Sequence, residues 1–163
     1  MISSGMAERY QKRFYDQVPL PDGTSFESLT KTHCGFNVAG PQSRALLQRL
    51  TNVSLETPDW PFMRSKVIEL AGVEVMALRV SFTGDLGWEL HCRAADQAAL
   101  YSALLEAGAA VGAGPVGSRA LMSLRLEKGY GSWGREYSPE YWPQECGLDR
   151  LCKRDKTYLN CDA

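Results

Sequence analysis

The stretch RVSFTGDLGWELH at residues 79–91 decides how this chain reads. Thr83-Gly84-Asp85-Leu86-Gly87 predicts a turn bracketed by two glycines, with extended strands on either side. On the returning strand WELHC, Glu89 follows Trp88, and the two-residue period of a strand places His91 on the same face as Glu89. A carboxylate beside two aromatics has what a flat heterocycle with adjacent N–H donors requires. Two parallel charge-assisted hydrogen bonds fix such a ring in plane, while Phe82 or Trp88 covers its face. On the residues alone, the alternative is a solvated glutamate at an outward strand position.

Working outward, RSKVIEL at 64–70 and VEVMALRVSFT at 73–83, joined by Ala71-Gly72, predict an antiparallel strand pair. Further upstream, FNVAG at 36–40 predicts a short strand closed by Gly40. PQSRALLQRLT then predicts a helix with Pro41 in its first turn and Leu46, Leu47 and Leu50 on one face. The polar, Pro58-bearing residues 51–61 are a connection. Near the N-terminus, 6–16 predicts a short amphipathic helix carrying Tyr10 and Phe14, and the Pro- and Gly-containing 18–29 a loop.

Downstream, Asp96 is the expected N-cap of a helix with Leu100, Leu104 and Ala107 on one stripe and Gly108 at its end. A second helix is expected from Pro115 through Leu121, Leu124 and Glu127 to Gly129. Strand, helix, three strands, helix, helix is the order of an α+β fold with a mainly antiparallel sheet and packed helices.

The other chemical motifs are weaker. Gly112-Ala113-Gly114-Pro115-Val116-Gly117 satisfies GxGxxG, but a dinucleotide loop needs a strand in front of it. Here LLEAGAAV reads as helix, and Pro115 removes an amide donor, so a helix-to-helix turn is expected. His33 and His91 are the two histidines, without HxH or HxxxH spacing, and no GxSxG elbow anchors a Ser-His-Asp triad. Arg119 and Arg125 lie six apart, on different sides of a helix. Arg125 reads as solvated or paired outside its helix. Arg119 sits in the first turn, where its charge opposes the helix dipole, which points to a role of its own.

The 163 residues are 44% hydrophobic and 23% charged, the composition of one globular domain rather than collagen, coiled coil or disorder. With 18 Lys+Arg against 19 Asp+Glu, a net charge of −1 supplies no field to capture nucleic acid or anionic lipid, so neither is expected as a partner. No stretch reaches the roughly 20 apolar residues of a membrane span, and no signal-peptide core is evident, which gives cytoplasm or an organelle lumen as the expected location. Cys34, Cys92, Cys146, Cys152 and Cys161 are odd in number and form no CxxC, and they read as reduced thiols. A metal site of Cys146, Cys152 and Cys161 with His91 is the alternative; no metal is expected.

Four segments together resemble the folate-binding aminomethyltransferase family, which comprises the glycine cleavage T-protein and the C-terminal folate domains of dimethylglycine and sarcosine dehydrogenases. They are FNVAGPQSRALLQRLT at 36–51, ALRVSFTGDLGWELH at 77–91, GSRALMSLRLEKGYGSWGREYSP at 117–139 and QECGLDRLCKRDKTYLN at 144–160. GDLGWEL and SLRLEKGYGSWG are most similar to the dehydrogenase branch.

The resemblance implies an α+β folate domain passing a one-carbon unit from an amine-derived iminium to tetrahydrofolate. Flavin adenine dinucleotide is implied only through a fused or partner oxidoreductase domain. It also implies that Glu89 grips the pterin, and that Phe82 stands where relatives often carry tyrosine, keeping ring stacking without the hydroxyl. Trp88, His91 and Arg119 complete the expected folate contacts. The T-protein helix arginine and aspartate fall on Leu121 and Met122 and are not carried over. The resemblance places the family's acid/base aspartate upstream of Met1 and its C-terminal barrel beyond Ala163. Residues 1–163 then read as the middle of the domain, inactive alone, in the cytoplasm or, for a eukaryote, the mitochondrial matrix. A non-catalytic folate-binding-like regulatory or interaction module is the alternative.

Overall fold

The computed structural model describes residues 5–152 and residue 155. They fall into two compact units, one made of Ser25–Tyr130 and the other of the stretches on either side. The flanking unit holds helix α1 (Gly5–Tyr15), where Tyr10 meets Phe14 edge-on at 5.0 Å and lies 5.8 Å from the Trp133 ring. Lys12 and Asp16 pair one turn apart on its exposed side. Residues 1–4 and the Cys161 end of the proposed cysteine cluster lie outside the described residues, as does much of the last matched segment.

The central unit runs β1 (His33–Ala39), α2 (Ser43–Gln48), β2 (Ser65–Leu70), β3 (Val73–Leu78), β4 (Gly87–Arg93), α3 (Gln97–Ala109) and α4 (Ser118–Glu127). The four strands form one sheet in the order β1-β4-β3-β2, every neighbouring pair antiparallel. The element order is the expected one, and the fold is α+β.

Alternation along the strands separates two faces. Trp88, Leu90 and Cys92 of β4, Val73, Val75 and Ala77 of β3, and Ile68 and Leu70 of β2 are buried on one of them. Leu46 and Leu47 of α2 and Leu100, Leu104 and Ala107 of α3 complete this core; α2 is shorter than expected, so Pro41 precedes it and Leu50 follows it, only partly buried. Trp60, from the connection before β2, meets Trp88 edge-on at 6.5 Å and 81°, and its Nε1 donates to Arg64 O at 2.8 Å.

Several local expectations change. Strand β3 ends at Leu78 rather than continuing to residue 83, because Val80 N turns back to Leu78 O at 2.9 Å and closes a tight turn. Strand β1 begins at His33, earlier than its apolar residues indicated, and four of its seven positions are exposed. Asp96 occupies the N-cap of α3, but its side chain makes no capping bond. A 3-10 turn, Ala94–Asp96, feeds the helix and holds Asp96 at helical φ −93° and ψ −1°. Helix α4 starts at Ser118, leaving Pro115 outside it. The GxGxxG segment is the helix-to-helix turn expected: Gly112 takes φ +69° and Ala113 N returns to Gly108 O at 2.9 Å.

Arg125 is not solvated. It is the inward residue of α4, 1% exposed, and its Nη1 donates to Tyr130 O at 3.0 Å, so the guanidinium ties the helix to the chain just after it. Leu124 of the same helix is 38% exposed.

Truncating the centre of this core by Leu90→Ala is expected to cost about 2–5 kcal/mol of unfolding free energy, read by urea denaturation. A loss below about 1 kcal/mol would mean that β4 is not packed as described. At the turn before β4, Gly84 has φ +76°, and a Cβ there would meet the Lys128 side chain at 2.5 Å. The same assay should show Gly84→Ala losing about 1–2 kcal/mol, chiefly from backbone strain.

Candidate functional site on the open face of the sheet

The second face of the sheet carries the residues that alternation turns away from the core. On β4 these are Glu89 and His91, whose side chains are 25% and 22% exposed, with Glu89 Oε2 3.7 Å from His91 Nε2. Register supplies their neighbours. Glu89 lies between Asn37 of β1 and Leu78 of β3, and His91 between Gly35 of β1 and Met76 of β3. Met76 and Val67, paired across β3 and β2, are exposed apolar side chains on this same face.

Gly35 shapes the floor. A Cβ at that position would stand 3.2 Å from His91 Nδ1 and 3.3 Å from Cε1, so the missing side chain is the space in which the imidazole lies. His91 Nε2 is buried and has no hydrogen-bond partner among the described residues. Glu89 accepts no hydrogen bond among them either. The buried, unpaired His91 Nε2 carries a desolvation cost of about 1–3 kcal/mol that a partner would recover, whereas the Glu89 carboxylate, 25% exposed, remains open to solvent or to a ligand.

The turn leading into β4 is braced internally. Ser81 Oγ lies 3.0 Å from Thr83 Oγ1, which donates to Asp85 Oδ2 at 3.0 Å. Phe82 sits half-buried inside this brace. Arg79, just before it, donates from Nη1 to Trp60 O at 2.6 Å and lies 5.9 Å from the Trp88 ring centre.

The candidate residues therefore separate. Glu89 and His91 are brought together, and Phe82 lies in the turn that delivers them. Trp88 lies in the core at 1% exposure, on the face opposite Glu89, because adjacent residues of a strand point to opposite sides. A ring gripped by Glu89 is out of its reach. Arg119 is the second residue of α4, exposed, and makes no hydrogen bond or ion pair among the described residues. Asn37, Gly35 and Leu78 were not singled out from sequence. Only the strand register, which neither periodicity nor motif spacing encodes, puts them beside Glu89 and His91.

A separate groove of about 280 Å³ runs along the outer edge of β1. Tyr101 and Leu105 of α3 and Leu121 and Leu124 of α4 line it, and it reaches Asn37 without including Glu89 or His91. Among the described residues no group of three or more His, Cys, Asp or Glu is placed to hold a metal ion.

Directly beneath the Gly35–His91 pair, on the core face, Cys34 and Cys92 stand opposite each other with their sulfurs 3.5 Å apart. Burial pushes the Cys92 thiol up to about 11, helped by its hydrogen bond to Cys34 and by the negative charge that Cys34 and Asp96 can carry. Cys92 is thus a protonated thiol at neutral pH.

The chain is similar to known proteins along most of its length. The family model described as the GCVT N-terminal domain matches residues 1–156. Mitochondrial dimethylglycine dehydrogenase of Homo sapiens is 35% identical over 158 residues, covering 96% of this chain and 18% of that protein. Mitochondrial sarcosine dehydrogenase of Homo sapiens is 42% identical over 118 residues, 72% of this chain and 13% of that protein. The aminomethyltransferase of Geobacillus kaustophilus is 38% identical over 117 residues, 72% of this chain and 32% of that protein. The chain thus spans less than a third of the length of each of these three relatives. With the family match extending over nearly all of its residues, the chain belongs to the GCVT N-terminal domain family.

Proposed function

We propose that this chain is the tetrahydrofolate-binding part of an aminomethyltransferase or an N-methylglycine-type demethylating dehydrogenase. In this reading the reaction transfers a one-carbon unit from an amine-derived iminium to tetrahydrofolate. The observation that carries the reading is the Glu89–His91 pair on the open face, with Gly35 hollowing the strand beside it. The pterin of tetrahydrofolate offers a ring N–H next to an amino group, and Glu89 carries two carboxylate oxygens to accept from both. The His91 imidazole flanks the carboxylate, its Nε2 3.7 Å from Glu89 Oε2.

Phe82 supplies a ring for stacking without the hydroxyl a tyrosine would bring. Arg119 offers an exposed cation to the ligand's carboxylates. Trp88 contributes by holding β4 against the core, so that Glu89 is presented at a fixed angle. Tetrahydrofolate, when bound, supplies the nucleophilic nitrogens that take the one-carbon unit; the residues named here bind and orient it. The relatives named as dehydrogenases support a flavin-bearing oxidoreductase domain or subunit as the source of the iminium. Their mitochondrial names favour the matrix for a eukaryotic chain.

A second reading, a folate-binding-like module without catalysis, is favoured by Phe82, Leu121 and Met122 standing where the T-protein pattern differs.

Titrating tetrahydrofolate into the chain and into Glu89→Ala tests the first reading. Removing a partly buried bidentate acceptor costs about 2–4 kcal/mol, so affinity should fall about 30- to 700-fold. Equal affinity of the two proteins would overturn the pterin role of Glu89.

A further inference from the structure

The sheet contains a second chemical feature that the folate reading does not use. Cys34 of β1 and Cys92 of β4 are direct cross-strand partners with Sγ atoms 3.5 Å apart. The bond from Ala94 N to Thr32 O at 2.8 Å and that from Gly40 N to Leu86 O at 2.9 Å fix the register around them. By the alternation of an antiparallel ladder, Cys34 and Cys92 are therefore a hydrogen-bonded pair. Such pairs have Cα atoms about 5.5 Å apart, inside the span of about 4.4–6.8 Å that a disulfide bridges. The sulfurs must close from 3.5 Å to the roughly 2.05 Å of an S–S bond, which side-chain rotation and a small approach of the two strands supply.

Their exposures differ in the way a sequential oxidation needs. Cys34 is half-buried and open to a small oxidant, whereas Cys92 is 2% exposed and reaches only its partner. The other described cysteines are arranged differently. Cys146 Sγ donates to Glu136 O at 3.2 Å and Cys152 Sγ to Leu148 O at 3.6 Å, each to a backbone carbonyl rather than to a second sulfur.

We propose that Cys34 and Cys92 form a dithiol that a peroxide oxidises to a disulfide across β1 and β4. The Cys34 thiolate attacks one peroxide oxygen, the O–O bond breaks, and Cys34 becomes a sulfenic acid as hydroxide leaves and is protonated to water. The Cys92 sulfur then attacks the Cys34 sulfur, and the S–O bond breaks. The departing hydroxide takes the Cys92 proton and leaves as a second water. Two electrons pass from the two thiols to the peroxide.

Peptide mapping by mass spectrometry without reductant, after one equivalent of hydrogen peroxide, tests this on the full chain. The expected product joins the Cys34 and Cys92 peptides, two hydrogens lighter than their sum, and dithiothreitol reverses it. In Cys34→Ser the crosslink should vanish while Cys92 stays a free thiol that iodoacetamide reaches only after unfolding. In Cys92→Ser, Cys34 should stop at a sulfenic acid trapped by dimedone. The proposal is overturned if Cys34 in the natural chain runs on to sulfinic acid with Cys92 still reduced. It is equally overturned if Cys34 pairs with another cysteine, or if both thiols survive the peroxide.

Discussion

The structure depends on the alternation of β4 between its two faces. Glycine 87 through Arg93 occupies an inner position in the sheet, with β1 on one side and β3 on the other, so each of its side chains is committed by the pleat. Trp88, Leu90 and Cys92 are the most enclosed residues of the strand, and together they bury enough apolar surface to fix its register against α2 and α3. A slip of one residue would drive Glu89 and His91 into the core and Trp88 into solvent. Both exchanges cost several kcal/mol, so the site's geometry is a by-product of the core's.

That coupling lets a strand as short as β4 present Glu89 and His91 at fixed positions. The carboxylate of Glu89 needs no salt bridge to hold it, because Trp88 and Leu90 on either side anchor the backbone that carries it. The brace at Ser81, Thr83 and Asp85 sets where β4 begins, and Arg79 links that turn to Trp60 beneath the sheet. Gly35 completes the arrangement from the neighbouring strand by leaving room for the imidazole. The Cys34–Cys92 pair is the next register pair after Gly35–His91 and faces the core, so one strand pair carries both an open-face polar pair and a thiol pair.

Much of this was legible before any coordinates. The element order and the faces of Glu89 and His91 follow from periods of 3.6 and 2 and from glycine placement, which are local properties. The same period already set Trp88 against Glu89, although grouping aromatics near the turn by sequence proximity suggested otherwise. Asn37, Gly35 and Leu78 were hidden because cross-strand register is a long-range property. Of the two alternatives open for Arg125, solvation or pairing outside its helix, the second holds: a charged residue enters a core only when a specific acceptor waits for it, and the Tyr130 carbonyl belongs to the chain beyond the helix. Asp96 has the right residue type for a cap, but the 3-10 turn before it removes the extended geometry that capping requires.

The central claim is that the open face at Glu89, rather than the groove beside α3 and α4, receives the pterin. Backbone amide chemical shifts, followed by NMR while tetrahydrofolate is added, test it most directly. The account predicts that the largest changes fall on Gly35, Asn37, Leu78, Glu89 and His91. Changes concentrated on Tyr101, Leu105, Leu121 and Leu124, with Glu89 and His91 unmoved, would contradict it.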